Sequence, residues 1–114
     1  MTRLLHSHLS LCCLLALMAC VTSFGGTTEL EGASGRLSVA YDVPNARLQT
    51  PGPVVVICHG FTSSKEEPLL LAVSAAVQGK GLPVVRFDFN GHGKSGGEFA
   101  KMTVSSELDD LRRV

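Results

Sequence analysis

The residues able to do chemistry crowd into two short segments, VVVICHGFTSS at 54–64 and VVRFDFNGHGKSGG at 84–97. Between them these hold Cys58, His59, Asp88, His92 and Ser95. Gly93-Lys94-Ser95-Gly96-Gly97 matches GxSxG, the nucleophile-elbow pattern, which needs an apolar strand running straight into the serine and a helix straight out. Here Asn90-Gly91-His92 precedes it and Glu98-Phe99-Ala100-Lys101 follows before any helix, so Ser95 reads as a solvated loop hydroxyl. Gly91, Gly93 and Gly96 also spell GxGxxG, whose use as a dinucleotide fingerprint requires a helix opening at the third glycine and an acidic residue ending a second strand. Asp109 and Asp110 have about the right spacing but fall on a predicted helix, which leaves a Rossmann-type unit as the alternative reading. A Walker A ending at Gly93-Lys94-Ser95 fails because Asp88 stands where the upstream glycine is required.

A metal site from Cys58, His59, Asp88 and His92 is disfavoured, because adjacent strand residues point to opposite faces and Cys58 and His59 could not easily share an ion. No metal and no cofactor is expected. Cys58 ends an apolar strand, where an unpaired thiol behaves as a small hydrophobe.

The elements that must position these residues follow from pattern. Thr28 and Leu30 against Glu29 and Glu31, then Leu37, Val39 and Tyr41 against Arg36, Ser38 and Asp42, alternate around Gly32-Ala33-Ser34-Gly35 and predict a hairpin with one wet face. The run VVVIC is continuously apolar and β-branched, as in a strand covered on both faces. Leu69, Ala72, Val73, Ala76 and Val77 recur at helical spacing and predict a helix over 68–78 that buries this face, with a capping box from Ser64 to Glu67. VVRFDF supplies the next strand, and strand, helix, strand is a βαβ unit of the α/β class. A last helix begins near Thr103, with Val104, Leu108 and Leu111 on one face and Asp109, Asp110, Arg112 and Arg113 outside. No Gly, Asn or Pro stops it, so the sequence reads as truncated within a helix.

Composition bounds the class. The 114 residues are 45% hydrophobic and 18% charged with zero formal net charge, so the chain is one globular unit, and no basic run offers a surface to nucleic acid. At the N-terminus, Arg3 leads into LCCLLALMACV at 11–21, which is too short for a bilayer span of roughly 20 residues and has the form of an export signal. Leu17-Met18-Ala19-Cys20 resembles a bacterial lipobox, which would make Cys20 the lipidated first residue of an exported, membrane-anchored chain; cleavage near Ser23 and plain secretion is the other outcome. The expected organisation is a signal over 1–20, a flexible tether over 21–27 and a folded portion over 28–114. Removing the signal leaves Cys58 alone, so no disulfide framework is expected.

HGF at 59–61 and FDFNGHGKSGG at 87–97 resemble the first half of the α/β-hydrolases, over roughly residues 28–114, and the second segment resembles the corresponding loop of feruloyl and cinnamoyl esterases, where Asn takes the place of an Arg. The resemblance implies an incomplete α/β-hydrolase fold: a hairpin, a βαβ unit and the start of a further helix. It also implies an ester substrate. The turn after the third strand of that family gives a backbone N–H to the oxyanion hole, which on this sequence is the amide of Phe61; one such donor contributes roughly 2.7–4 kcal/mol in the transition state. His59, Gly60 and Phe61 form the implied substrate-side turn, with Gly60 letting the backbone approach the substrate and His59 bracing it by hydrogen bonding.

The family's nucleophile lies one strand later and its histidine comes last, whereas the four His residues here are at 6, 8, 59 and 92. This chain alone is therefore expected to be inactive, with a C-terminal half needed to cover VVVIC, which is otherwise an exposed apolar edge. A non-catalytic envelope protein that keeps half of the fold is the alternative of a different class.

Overall fold

The computed structural model describes residues 23–44 and 51–114, so the expected signal over 1–20, with Cys20, and residues 45–50 lie outside the described residues. The hairpin forms as β1 (Ser23–Glu31) and β2 (Arg36–Pro44), antiparallel in register from Ser23↔Pro44 to Glu31↔Arg36. The tether expected over 21–27 is thus strand from Ser23 onward. Two glycines and two threonines suggested flexibility, but the cross-strand partners on β2 give their backbone groups a ladder.

β3 (Val55–Cys58), α1 (Pro68–Gln78) and β4 (Val84–Phe87) form the βαβ unit, with β3 and β4 parallel from Val55↔Val84 to Cys58↔Phe87. β4 also pairs antiparallel with β2, so the four-stranded mixed sheet runs β1-β2-β4-β3. This is an α/β architecture, and β3 is an edge of the sheet among the described residues. Register and side-chain alternation place Val39, Val85 and Phe87 on one face and Ala40, Val84, Arg86 and Ile57 on the other. The first face builds the apolar cluster Leu37, Val39, Phe87 and Phe89, against which Leu30, Val85 and Val114 pack. α1 crosses β2, β3 and β4.

Three expectations about burial fail in one direction. β3 is not covered on both faces: Ile57 is buried, but Val56 and Cys58, on the opposite face, are exposed because no described element covers that face at this edge. The face of α1 expected to be buried is open, with Leu69 68% exposed, while Ser74 is buried and Leu70, Val77 and Gln78 are half-buried. Apolar residues run without interruption from Leu69 to Val73, so no single apolar stripe sets the inward direction. The Ser64–Glu67 capping box does not form either. Pro68 opens the helix, Glu67 is its N-cap without a side-chain cap, and the Glu67 carboxylate accepts instead from the Ser63 hydroxyl at 2.7 Å.

The last helix, α2 (Val104–Leu111), is capped by Thr103, whose hydroxyl accepts from the Ser106 N–H while Ser106 Oγ accepts from the Thr103 N–H. Its orientation is the reverse of the expected one. Val104, Leu108 and Leu111 are exposed, and Asp110 is 1% exposed. Hydrogen bonding decides the orientation: Asp110 Oδ1 accepts from the Ala33 N–H of the hairpin turn at 2.7 Å, and Oδ2 from the Asn90 N–H at 2.8 Å. The buried Asn90 N–H is thereby satisfied, which would otherwise cost about 1–3 kcal/mol, while the bond to the exposed Ala33 ties the helix to the hairpin turn.

Candidate functional site

Both chemistry-bearing segments meet at the end of the sheet where β3 and β4 run out in parallel. β3 delivers His59 and then a tight turn over 60–63, closed by the Ser63 N–H donating to Gly60 O at 3.2 Å. Thr62 in this turn has φ +57, a left-handed conformation that a β-branched residue adopts only under constraint, at about 1–3 kcal/mol. No hydrogen bond to the Phe61 N–H is formed among the described residues. The Phe61 side chain is 70% exposed and its ring lies 5.3 Å from that of Phe99. A Cβ added to Gly60 would meet nothing within 4 Å, so the described chain sets no steric need for glycine there.

His59 is buried beneath the turn. Its Nε2 accepts from the Phe89 N–H at 3.1 Å, and Nδ1–H donates to Gly60 O at 2.8 Å. With both nitrogens engaged, the ring braces the turn and has none left for a substrate or metal. His92 packs against it, ring centroids 4.9 Å apart, and against Phe99 at 5.1 Å. His92 Nδ1–H points to Asn90 O at 3.3 Å, while its buried Nε2 has no partner among the described residues. An orphaned buried acceptor is uncommon and marks a place for an added donor. Thr62, Ser63, Gly91, His92, Gly93 and Phe99 line an open cavity of about 300 Å³ in front of the turn.

The second segment is occupied with holding itself together. Ser95 Oγ donates to Asp88 O at 2.6 Å and accepts from the Ser38 N–H of β2 at 2.8 Å. It is therefore neither the solvated hydroxyl expected from the sequence nor a free nucleophile. Asn90 is buried; its Oδ1 accepts from the Ser34 N–H at 2.6 Å and its Nδ2 donates to Gly35 O and Gly96 O at 3.1 and 3.2 Å. The GxGxxG stretch leads not into an α-helix but into a short 3₁₀ turn, Phe99–Lys101, so no helix N-terminus meets a pyrophosphate there. That geometry and the hairpin beside β4 remove the Rossmann reading.

Asp88 is the buried charge of the site. Oδ1 accepts from the Lys65 N–H at 2.6 Å, and Oδ2 from Lys65 Nζ at 2.7 Å and the Lys94 N–H at 2.9 Å. Burial pushes the carboxyl pKa up, but the Lys65 ammonium and the two backbone N–H groups outweigh it and hold it below the usual value. Gly93, at φ +49, is glycine because a Cβ there would lie 2.4 Å from this carboxylate. At the open end of β3, partial burial and then the charge of Glu107 push the Cys58 thiol pKa up.

Lys65 was not singled out from the sequence, and Asp88, Asn90 and Asp110 entered there only as parts of motifs, not in the holding roles that the structure gives them. Only Asn90, beside Gly91, carried a local signal, an amide next to a glycine, which turns share.

No protein-family model matches the chain. Est1E from Butyrivibrio proteoclasticus, solved with ferulic acid bound, superposes with a TM-score of 0.68 at 30% identity, over 75% of this chain and 34% of that one. XC6422 from Xanthomonas campestris, described as an α/β serine hydrolase without a lid, gives 0.66 at 28% identity, over 78% and 41%. The Pyrococcus furiosus esterase Pf2001 gives 0.64 at 27% identity, over 81% and 33%. Among curated proteins, an uncharacterized 31.7 kDa protein of Escherichia coli is 26% identical over 78 residues, which are 68% of this chain and 26% of that protein. The chain thus spans about a third of the first of these structures and about a quarter of the curated relative.

Proposed function

The chain belongs to the α/β-hydrolase superfamily, and from that premise we propose that it supplies the oxyanion-side part of a serine hydrolase acting on carboxylic esters with an aromatic acyl group. The observation that carries this reading is the turn over 60–63: strained at Thr62, braced by His59, with the Phe61 N–H left without an acceptor beside an open cavity. A donor fixed in place before reaction stabilises a developing oxyanion without reorganisation. The ring of Phe99 in the cavity wall, with the exposed Phe61 ring 5.3 Å from it, favours an aromatic substrate, in keeping with the ferulic acid bound to Est1E.

In this reading the nucleophilic serine, the acid and the catalytic histidine come from sequence outside this chain, because Ser95 and His59 are committed to structural hydrogen bonds. The strand that pairs with the β3 edge comes from there as well. Export through the signal-like start, with Cys20 as a lipid attachment point, belongs to the same proposal.

The test is a pair of substitutions in the full-length protein assayed on an aryl ester. Phe61→Pro deletes the N–H, and kcat falls on the order of a hundredfold or more; Phe61→Leu keeps the N–H and has a much smaller effect. Near-normal kcat in a folded Phe61→Pro protein would refute the oxyanion assignment. This chain assayed alone releases no product above background, and turnover abolished by Ser95→Ala would refute the division of labour.

A further inference from the structure

We infer that Asp88 is a positioning residue for the turn that carries the Phe61 N–H, an inference that rests on the ester-hydrolase reading above. The turn is held at both ends by consecutive residues just past β4. At its start, His59 Nε2 takes the Phe89 N–H. At its end, Lys65 is bound to Asp88 twice, through its own N–H at 2.6 Å and its ammonium at 2.7 Å. The carboxylate is itself fixed, since the Asp88 N–H donates to Ser38 O of β2 at 3.0 Å and the Lys94 N–H donates to Oδ2. Arg86 adds a third hold, donating from Nη1 to Lys65 O at 2.7 Å. Both side chains of the Lys65–Asp88 pair are 1% exposed, so solvent does not compete for these bonds.

Between two such anchors, the short span over 60–63 has little freedom. A strained φ at Thr62 persists only where surrounding contacts over-determine it, and these anchors are the contacts that do so. The direction of the Phe61 N–H is thereby set by Asp88 acting through Lys65, two residues beyond the turn's end at Ser63. Removing the carboxylate frees one end and lets the donor wander. The loss falls on the transition state, so kcat drops while KM changes little.

The experiment is Asp88→Asn in the full-length protein, read in two ways. Amide hydrogen exchange at Ser63, whose N–H closes the turn, speeds up about tenfold or more, while amides in the middle of α1 keep their wild-type rates. On an aryl ester, kcat per folded molecule falls about tenfold or more with KM nearly unchanged, since misplacement by an ångström costs on the order of a hundredfold. Unchanged exchange at Ser63, or a uniform rise across the whole sheet, overturns the positioning role. If the wild type hydrolyses no ester, the hydrolase reading fails, and the exchange result still decides whether Asp88 fixes the turn. Should Asp88→Asn not fold, Lys65→Gln removes only the ammonium half of the anchor. Exchange at Ser63 then rises severalfold, and an unchanged rate there overturns the inference.

Discussion

The turn over 60–63 and the loop over 88–97 sit side by side at one end of the sheet, yet they use their hydrogen-bonding capacity in opposite ways. In the loop, the side chains of Asp88, Asn90 and Ser95 are all bound within the chain. In the turn, a backbone donor is left over and a β-branched residue is held in a left-handed conformation. The loop carries every sequence pattern that suggests catalysis or nucleotide binding, and the turn carries none beyond HGF. Capacity left unspent, at the Phe61 N–H of the turn and at His92 Nε2 where the loop meets it, marks the candidate site better than a matching pattern does.

Substitutions can break that contrast. The largest effect is expected for Asp88→Ala, which strands Lys65 as a buried charge and lowers stability by about 3–5 kcal/mol, measured by denaturant unfolding. Because the folded-state pKa of Asp88 is lowered, the stability it contributes is present above the unfolded value of about 3.9 and is lost as pH falls through the folded value. An acid titration of stability showing no loss below pH about 4 would contradict the anchor. Ser95→Ala comes next: it leaves the Ser38 N–H unpaired and costs about 1–3 kcal/mol, with kcat of the full-length protein unchanged. A large kcat loss at wild-type stability would put Ser95 back among the reacting groups.

Changes in the turn should be smaller in stability. Thr62→Gly relieves the left-handed strain but adds chain entropy to the unfolded state, for a net gain of about 1 kcal/mol or less in thermal or denaturant unfolding. A clear loss instead would mean that the Thr62 side chain makes a contact outweighing its backbone strain. Gly60→Ala is expected to leave stability within about 0.5 kcal/mol, since its Cβ enters open space, while raising KM or lowering kcat if substrate fills that space. Unaltered kinetics would place the substrate away from Gly60.

Local pattern made the elements legible. The helix over Pro68–Gln78 and the hairpin follow from spacing and turn residues. Which face turned inward did not, because α1 is apolar on several sides and α2 is oriented by a buried carboxylate rather than by its leucines. Asp110 read as an outward charge because its two partners, the Ala33 and Asn90 N–H groups, lie 77 and 20 residues away in sequence. The exposed apolar faces of β3, α1 and α2 have the same origin: the sequence carries a burial pattern whose covering elements are not among the described residues. The site was legible through HGF, which pointed to the turn. Its anchors at Asp88 and Lys65 were not, since no spacing rule links residues 23 apart across a parallel pair.

The central claim is that the Phe61 N–H is held ready for an oxyanion. It is tested most directly by NMR on the full-length protein labelled with ¹⁵N-phenylalanine, before and after reaction with an aryl phosphonate that esterifies the nucleophilic serine and places a P–O⁻ where the oxyanion forms. The Phe61 amide proton is expected to move far downfield and exchange more slowly in the adduct, as a new charge-assisted hydrogen bond requires. An adduct that forms fully while the Phe61 resonance stays in place would contradict it.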